Sequence, residues 1–398
     1  MSNQKNVITP AVASMQASAI REIFKLIAKD DIISFAAGIP APELFPSKEW
    51  AKITSDILEN TPTPALVYGV TEGYLPLREL TKKRAAKLGA YNPDIDELII
   101  TTGAQQAIDL AAKVVLEVGD GVIVEKPSFI GSLNSFRSYG AKLYDVDVEE
   151  DGLNIEQTEA HLKNNKNIKF IYTIPTFQNP SGTTMSIKKR KALLELARKY
   201  DVLILEDNPY GELRFKGEFV DTIKSMDTEG RVIYAGTYSK TLAPGLRVGF
   251  VSARKDIVDR IVVVKQVNDV HTGVLNQMMV HEYINNYDYD AHIEKCSKAY
   301  GEKCELMISE MEKHFPKQCS FTRPDGGIFI LCTMPKNVDT KKMLNEAIEN
   351  KVAYVPGNTF MTDIDAPSNI FRLNFSVTTP DAIVKGIKIL SDVLKKNI

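Results

Sequence analysis

Between residues 97 and 253 the chain alternates short apolar runs, rich in β-branched residues, with longer stretches of helical period. The runs are Leu98-Ile99-Ile100, Val122-Ile123-Val124, Phe170-Ile171-Tyr172, Val202-Leu203-Ile204-Leu205, Val232-Ile233-Tyr234 and Val248-Gly249-Phe250-Val251. Each is apolar on both alternating faces, which predicts strands covered on both sides, as in a largely parallel sheet. Amphipathic helices fill the intervals. The clearest begins at Ser186, an N-cap residue type, and repeats apolar positions at Leu193, Leu196, Ala197 and Tyr200. The pattern predicts α/β architecture. Beyond about residue 285, long helical patterns over 293–313 and 382–396 surround the runs Ile328-Phe329-Ile330-Leu331 and Phe371-Arg372-Leu373-Asn374-Phe375. They predict a smaller α+β domain. The expected division is an N-terminal segment 1–46, a large domain 47–284 and a small domain 285–398.

Unusual polar residues follow the apolar runs. Thr102-Gly103-Ala104-Gln105 comes after the first, Glu125-Lys126-Pro127-Ser128-Phe129 after the second and Pro175 to Asn179 after the third. Glu206-Asp207 follows the fourth, and Gly236 to Lys240 the fifth. Ligands of open α/β sheets bind at the carboxyl ends of the strands. One ligand touched by five strand ends is the economical reading.

Composition narrows the function without naming it. The 398 residues carry a net charge of −2, with 44% hydrophobic and 25% charged residues, as in an ordinary globular protein. This balance gives no electrostatic footprint for nucleic acid or an acidic membrane. The opening MSNQKNVITP lacks a signal-peptide pattern, and no apolar run reaches bilayer length. A cytoplasmic protein is expected. Cys296, Cys304, Cys319 and Cys332 show no CxxC spacing and read as reduced core thiols. His281-Glu282 begins like a zincin motif, but Asn285 stands where the second His belongs, which argues against a metal site.

The five groups carry different chemistry. Gly103-Ala104-Gln105 opens a helix, either as free N–H groups for a phosphate or as a tight turn. Asp207 ends an apolar strand, where a carboxylate needs a cation or several donors; capping a helix is the plainer alternative. Tyr210 is three residues on. Lys240 also sits at a strand end, where desolvation and a cationic neighbour such as Arg247 lower an amine's pKa and make it nucleophilic. Thr237, Ser239 and Arg247 together make a phosphate cage. A nucleotide P-loop needs Gly before its Lys, where Ser239 stands, and Gly119-Asp120-Gly121 precedes a strand rather than following one. The remaining requirements are a phosphate, a covalent lysine, a buried anion and an aromatic, Phe129. Together they point to pyridoxal 5′-phosphate, held as an imine by Lys240 with its ring nitrogen kept protonated by Asp207.

These motifs resemble the class I/II aminotransferases, fold type I of the pyridoxal-phosphate enzymes, and within them the α-aminoadipate and kynurenine aminotransferase subgroup. The likeness runs from "QASAIREIFKL" and "ISFAAGIPAPELFP" through "YGVTEGYLPLRE", "TTGAQQAIDL", "VEKPSF", "PTFQNPSG", "EDNPYGELRF" and "GTYSKTLAPGLRVGF" to "PDGGIFI" and "FRLNFS". The resemblance implies a large domain with a mostly parallel sheet flanked by helices, plus the smaller domain, with segment 1–46 covering the active site. It makes Lys240 the Schiff-base lysine and proton shuttle, and Asp207 the partner of the ring nitrogen. Asn179 and Tyr210 would bind the ring's phenolic oxygen, and Phe129 would stack on its face. Gly103, Ala104, Gln105, Thr237, Ser239 and Arg247 would hold the phosphate, with Tyr68 reaching the phosphate of a partner subunit in a homodimer. Arg372 would clamp the substrate carboxylate, helped by Asn179 and the backbone of Gly38.

Two departures stand out: Phe129 and Ala104 replace the Tyr and Ser of many relatives, and each removes one hydroxyl. Arg21, in an amphipathic stretch from Ile20 to Ala28, is either a solvated helix face or, as the resemblance to the aminoadipate subgroup implies, a residue that covers the active site and pairs with an acidic substrate side chain. In the second case glutamate and 2-aminoadipate are donors to a 2-oxo acid, with aromatic or branched side chains also admitted. The expected reaction is ping-pong transamination. The alternatives are a β-eliminating lyase on the same fold, or a regulator with such an effector domain. A His usually stacks in decarboxylating and condensing relatives, so Phe129 argues against those. A regulator needs a DNA-binding domain of about 60–80 residues, whereas about 17 residues precede the Arg21 helix.

Overall fold

All six runs between residues 97 and 253 become strands of one sheet. The computed structural model describes residues 7–13, 15 and 32–398. Its strands in the first half are β1 (Ile33–Ser34), β2 (Asp96–Thr101), β3 (Gly121–Lys126), β4 (Lys142–Glu149), β5 (Gly152–Leu153) and β6 (Ile168–Thr173). There follow β7 (Leu203–Asp207), β8 (Val232–Thr237), β9 (Gly249–Arg254), β10 (Ser320–Phe321), β11 (Phe329–Thr333), β12 (Val352–Ala353), β13 (Val355–Pro356) and β14 (Ile370–Asn374).

The large sheet has eight strands in the order β2-β9-β8-β7-β6-β3-β4-β5. Strands β8, β7, β6, β3 and β4 are parallel, while β9 runs antiparallel to both β8 and β2. The start of β9 therefore lies at the same edge as the carboxyl ends of β2 and β8. Residue 247 reaches that edge by preceding its strand rather than following it. Strand β4 lies outside the predicted runs; its sequence KLYDVDVE alternates, and only Val146 on it is buried.

Helices cover both faces. Ala104–Val115 turns Ala107, Ile108, Leu110 and Ala111 into the core. Ile187–Tyr200 starts where expected, with Ser186 Oγ accepting from the Lys189 amide at 3.3 Å, and buries Leu193 and Ala197 completely. All four cysteines are buried and free.

The second sheet, β10-β11-β14-β13, is antiparallel, flanked by helices Tyr289–His314 and Pro380–Lys396. The N-terminal strand β1 pairs parallel with β12. The chain then continues past β14, where Phe35 O accepts from the Asn374 amide at 2.8 Å. This brings the backbone of Ala36 and Gly38 to the large sheet's carboxyl edge. The loop after β6 is held from below by Arg190, fully buried, whose guanidinium donates to the carbonyls of Met185, Pro175 and Asp221 and to Thr176 Oγ1. Every donor nitrogen finds an acceptor, which makes burial of this cation tolerable.

Candidate active site

A cavity of about 240 Å³ opens at the carboxyl edge of the large sheet, facing β11 and β14. Asp207 is the last residue of β7 and Thr237 the last of β8, with Lys240 three residues beyond. Both strand ends line the cavity, together with Ser239, Lys240, Tyr210 and Phe129. Gly38, Ala104, Gln105, Asn179, Arg247 and Arg372 complete the expected set at this place. Gly103 lies immediately behind. Tyr68 does not line the cavity; it is 87% exposed, edge-on to His271. Arg21 lies outside the described residues.

The Lys240 amine donates to Gly38 O at 2.7 Å. Its pKa is lowered to about 8, first by burial and then by the positive charges of Arg372 and Arg247, with Asp207 opposing. Such an amine is neutral far more often than a surface lysine.

Asp207 is 3% exposed. Its Oδ2 accepts from the Tyr172 hydroxyl at 2.8 Å, and that hydroxyl accepts from Ser132 Oγ at 2.7 Å. Its Oδ1 is buried with no partner among the described residues. Burial raises the Asp207 pKa to about 7, opposed by the Tyr172 bond and Lys240 and reinforced by the Glu125 charge. A buried carboxyl with one bound and one vacant oxygen is set up for a single cationic N–H. Sequence reasoning missed Tyr172 and Ser132. Tyr172 was legible only as part of an apolar strand run, and neither hydroxyl has a local reason to meet residue 207.

A phosphate-sized anion finds donors at the other end. The first N–H groups of helix Ala104–Val115 have no intrahelical acceptors and no side-chain cap. Ser239 Oγ accepts from Thr237 Oγ1 at 2.9 Å and from Arg247 Nη1 at 3.3 Å, which leaves its own proton to donate. Arg247, in left-handed conformation at φ 53°, donates Nη2 to Thr102 O at 3.0 Å. Gly103, at φ 75°, admits that guanidinium, since a Cβ there would stand 2.9 Å from Arg247 Cζ. Gly249 lets β9 pass close behind, as its Cβ would lie 2.8 Å from the Ala104 nitrogen. The Gln105 side chain turns away, to Gly131 O and Ser135 Oγ, so only its backbone serves the cavity.

Arg372 is 1% exposed. Its Nη1 donates to Asn179 Oδ1 at 2.9 Å and its Nη2 to Ala36 O at 3.1 Å, while Nε has no partner among the described residues. The guanidinium lies 3.9 Å from the Phe329 ring centroid. Burial lowers its pKa to about 10, with Tyr210 opposing. No carboxylate among the described residues pairs with this buried cation, which is costly to desolvate without an anion.

The donor set therefore fits pyridoxal 5′-phosphate: a vacant carboxyl oxygen for the ring nitrogen, a depressed amine for the aldehyde, and a cradle of amides, hydroxyls and guanidinium for the phosphate. The chain is 41% identical over 394 residues to aromatic-amino-acid aminotransferase 1 of Thermococcus litoralis, covering 96% of this chain and 93% of that one. It is 37% identical over 384 residues to the 2-aminoadipate transaminase of Thermus thermophilus, covering 96% and 94%. A kynurenine aminotransferase from Pyrococcus horikoshii, solved in complex with PMP, superposes with a TM-score of 0.95 at 39% identity, over 100% of this chain and 99% of that one. The family model for aminotransferases of class I and II matches residues 30–390, and the chain belongs to that family.

Proposed function

We propose that this chain is a cytoplasmic, homodimeric aminotransferase with Lys240 as its acid–base amine, exchanging an amino group between an L-amino acid and a 2-oxo acid. One observation carries the reading: the same cavity is lined by a depressed amine, by a buried carboxyl with one oxygen unbonded among the described residues, and by a buried guanidinium that no described carboxylate pairs. Pyridoxal 5′-phosphate, when bound, supplies an aldehyde for the amino group and a ring that withdraws electrons from the substrate Cα. Lys240 Nζ removes the Cα proton of the donor and, in the reverse half, returns a proton to the Cα of the acceptor. Asp207 Oδ1 would keep the ring nitrogen's proton in place, Phe129 would cover the ring face, and Tyr210 and Asn179 would bind the phenolic oxygen. The Ala104 and Gln105 amides, Thr237, Ser239 and Arg247 would hold the phosphate.

Tyr172 is the residue that aims Asp207. Tyr172→Phe leaves Oδ2 without its donor, so the carboxyl is free to turn and binds protons more tightly. We expect kcat to fall about tenfold, the scale of one hydrogen bond to a charged group, with KM little changed. Steady-state kinetics with one amino donor checks it; unchanged kcat would free Asp207 from this dependence.

Arg372 takes the α-carboxylate shared by all amino acids. Removing one member of a buried ion pair costs about 3–5 kcal/mol, so Arg372→Ala should lower kcat/KM roughly 10²–10³-fold for every donor. Arg21→Ala should hurt glutamate and 2-aminoadipate selectively; equal loss across donors would retire the side-chain role. A half-reaction screen, following loss of the cofactor's visible band with each amino acid, ranks donors directly. Keto acid formed with the amino group retained supports transamination, whereas release of ammonia from β-substituted amino acids would indicate elimination.

Leu66, Val67, Tyr68, Val70 and Leu75 are 54–87% exposed within one short stretch, the kind of apolar surface a second copy covers. Sedimentation should give twice the chain mass, and Tyr68→Ala should weaken cofactor retention without touching the cavity lining of its own subunit.

A further inference from the structure

Behind the turn Thr102-Gly103-Ala104 lies a closed polar network that no step above uses. Lys265, at the end of helix Lys255–Gln266, is fully buried. Its Nζ donates to Asp269 Oδ1 at 2.7 Å, Gln106 Oε1 at 2.9 Å and Thr272 Oγ1 at 3.2 Å. Thr102 Oγ1 donates to Asp269 Oδ2 at 2.8 Å, and Gln106 Nε2 donates to the same oxygen at 2.7 Å. The Thr102 amide donates to Gln106 Oε1 at 2.8 Å. Because the Thr102 proton is committed to Asp269, the 3.1 Å contact between Thr102 and Thr272 hydroxyls is donated by Thr272. Hydrogen-bond direction thus runs from Lys265 through Thr272 and Thr102 to the Asp269 carboxylate.

The network grips the turn on its amide, its hydroxyl and, through Gln106, the first turn of the helix it opens. On the opposite side Thr102 O accepts from Arg247. Fixing Thr102 therefore fixes two sets of anion donors together: the amides of Ala104 and Gln105, and the guanidinium of Arg247. A buried lysine and a carboxylate tied by three donors are costly to desolvate, and an apolar pair of like volume would fill the same space. A charged network keeps one orientation of the turn, which packing alone does not specify.

We propose that Lys265 and Asp269 are positioning residues for the cofactor phosphate, acting through Thr102 on the amides of Ala104 and Gln105 and on Arg247. The proposal rests on the assignment of that turn as the phosphate site. It predicts a selective defect: phosphate binding weakens while the ring end is untouched.

The test strips cofactor from the full-length chain and titrates it with pyridoxal 5′-phosphate or with pyridoxal, which lacks the phosphate, reading occupancy from the visible absorption of each. The wild-type chain should prefer the phosphorylated compound strongly. Asp269→Asn and Thr102→Val should each reduce that preference about tenfold, the scale of one hydrogen bond to a charged group, with pyridoxal affinity unchanged. Thr102→Ser, which keeps the hydroxyl, should restore it. Combining Asp269→Asn with Thr102→Val should add little, because both cut the same link. Equal loss of both ligands, or a preference unaltered in both variants, would overturn the proposal. A wild-type chain with no preference would instead remove the phosphate assignment beneath it. Should Asp269→Asn fold poorly, Thr102→Val alone decides, since it changes one hydroxyl to a methyl.

Discussion

Lys240→Ala is expected to retain the cofactor and lose turnover by on the order of 10⁴-fold, the upper range for a positioned acid–base group. Two jobs fall on different groups. Holding the cofactor falls on the carboxyl at 207, the phosphate cradle and the rings, all of which survive the substitution. Moving the Cα proton falls on Nζ, which does not. The pH dependence has a definite sign. With its pKa lowered to about 8 from the usual 10.5, the unliganded amine is mostly protonated at pH 7 and mostly neutral at pH 9. Capture of the aldehyde by the cofactor-free chain should therefore rise with pH through a midpoint near 8 and level off above it. Stopped-flow absorbance checks the midpoint. A rise centred near 10.5 would show an amine undisturbed by burial or by Arg372 and Arg247.

Asp207→Asn is expected to lower kcat by roughly 10²–10³-fold while cofactor affinity falls by less than about tenfold. A neutral amide accepts a hydrogen bond but gives no charge to hold a proton on the ring nitrogen, and that charge-assisted bond is worth about 1.5–3 kcal/mol. The further loss comes from a ring that no longer draws electrons from Cα. The defect should lie in proton removal, so a donor deuterated at Cα should show a larger isotope effect with Asp207→Asn than with the wild-type chain. An unchanged isotope effect would place the defect elsewhere.

Much of this site was legible because several of its residues follow an apolar strand run, and the carboxyl end of such a run is read locally. Asp207, Lys240 and Asn179 were placed in this way, and Arg372 by its motif. What could not be read is non-local. An apolar run has no direction, so Arg247 was expected in the phosphate cage without any sign that β9 is reversed and carries it in from its beginning. The partner of Asp207 lies 35 residues away on β6, in a run whose hydroxyl looked like core. Lys265, in the last turn of its helix, and Asp269, just beyond it, read as an ordinary i,i+4 pair, yet Asp269 meets Thr102 across 167 residues. Strand β4 escaped notice because only one of its faces is apolar, and that weakly.

The measurement that bears most directly on the central claim is borohydride reduction of the yellow holoenzyme followed by peptide mass spectrometry. One phosphopyridoxyl group per chain is expected, on Lys240, in the peptide that carries Thr237 and Ser239. Label on another lysine, or none, would contradict it.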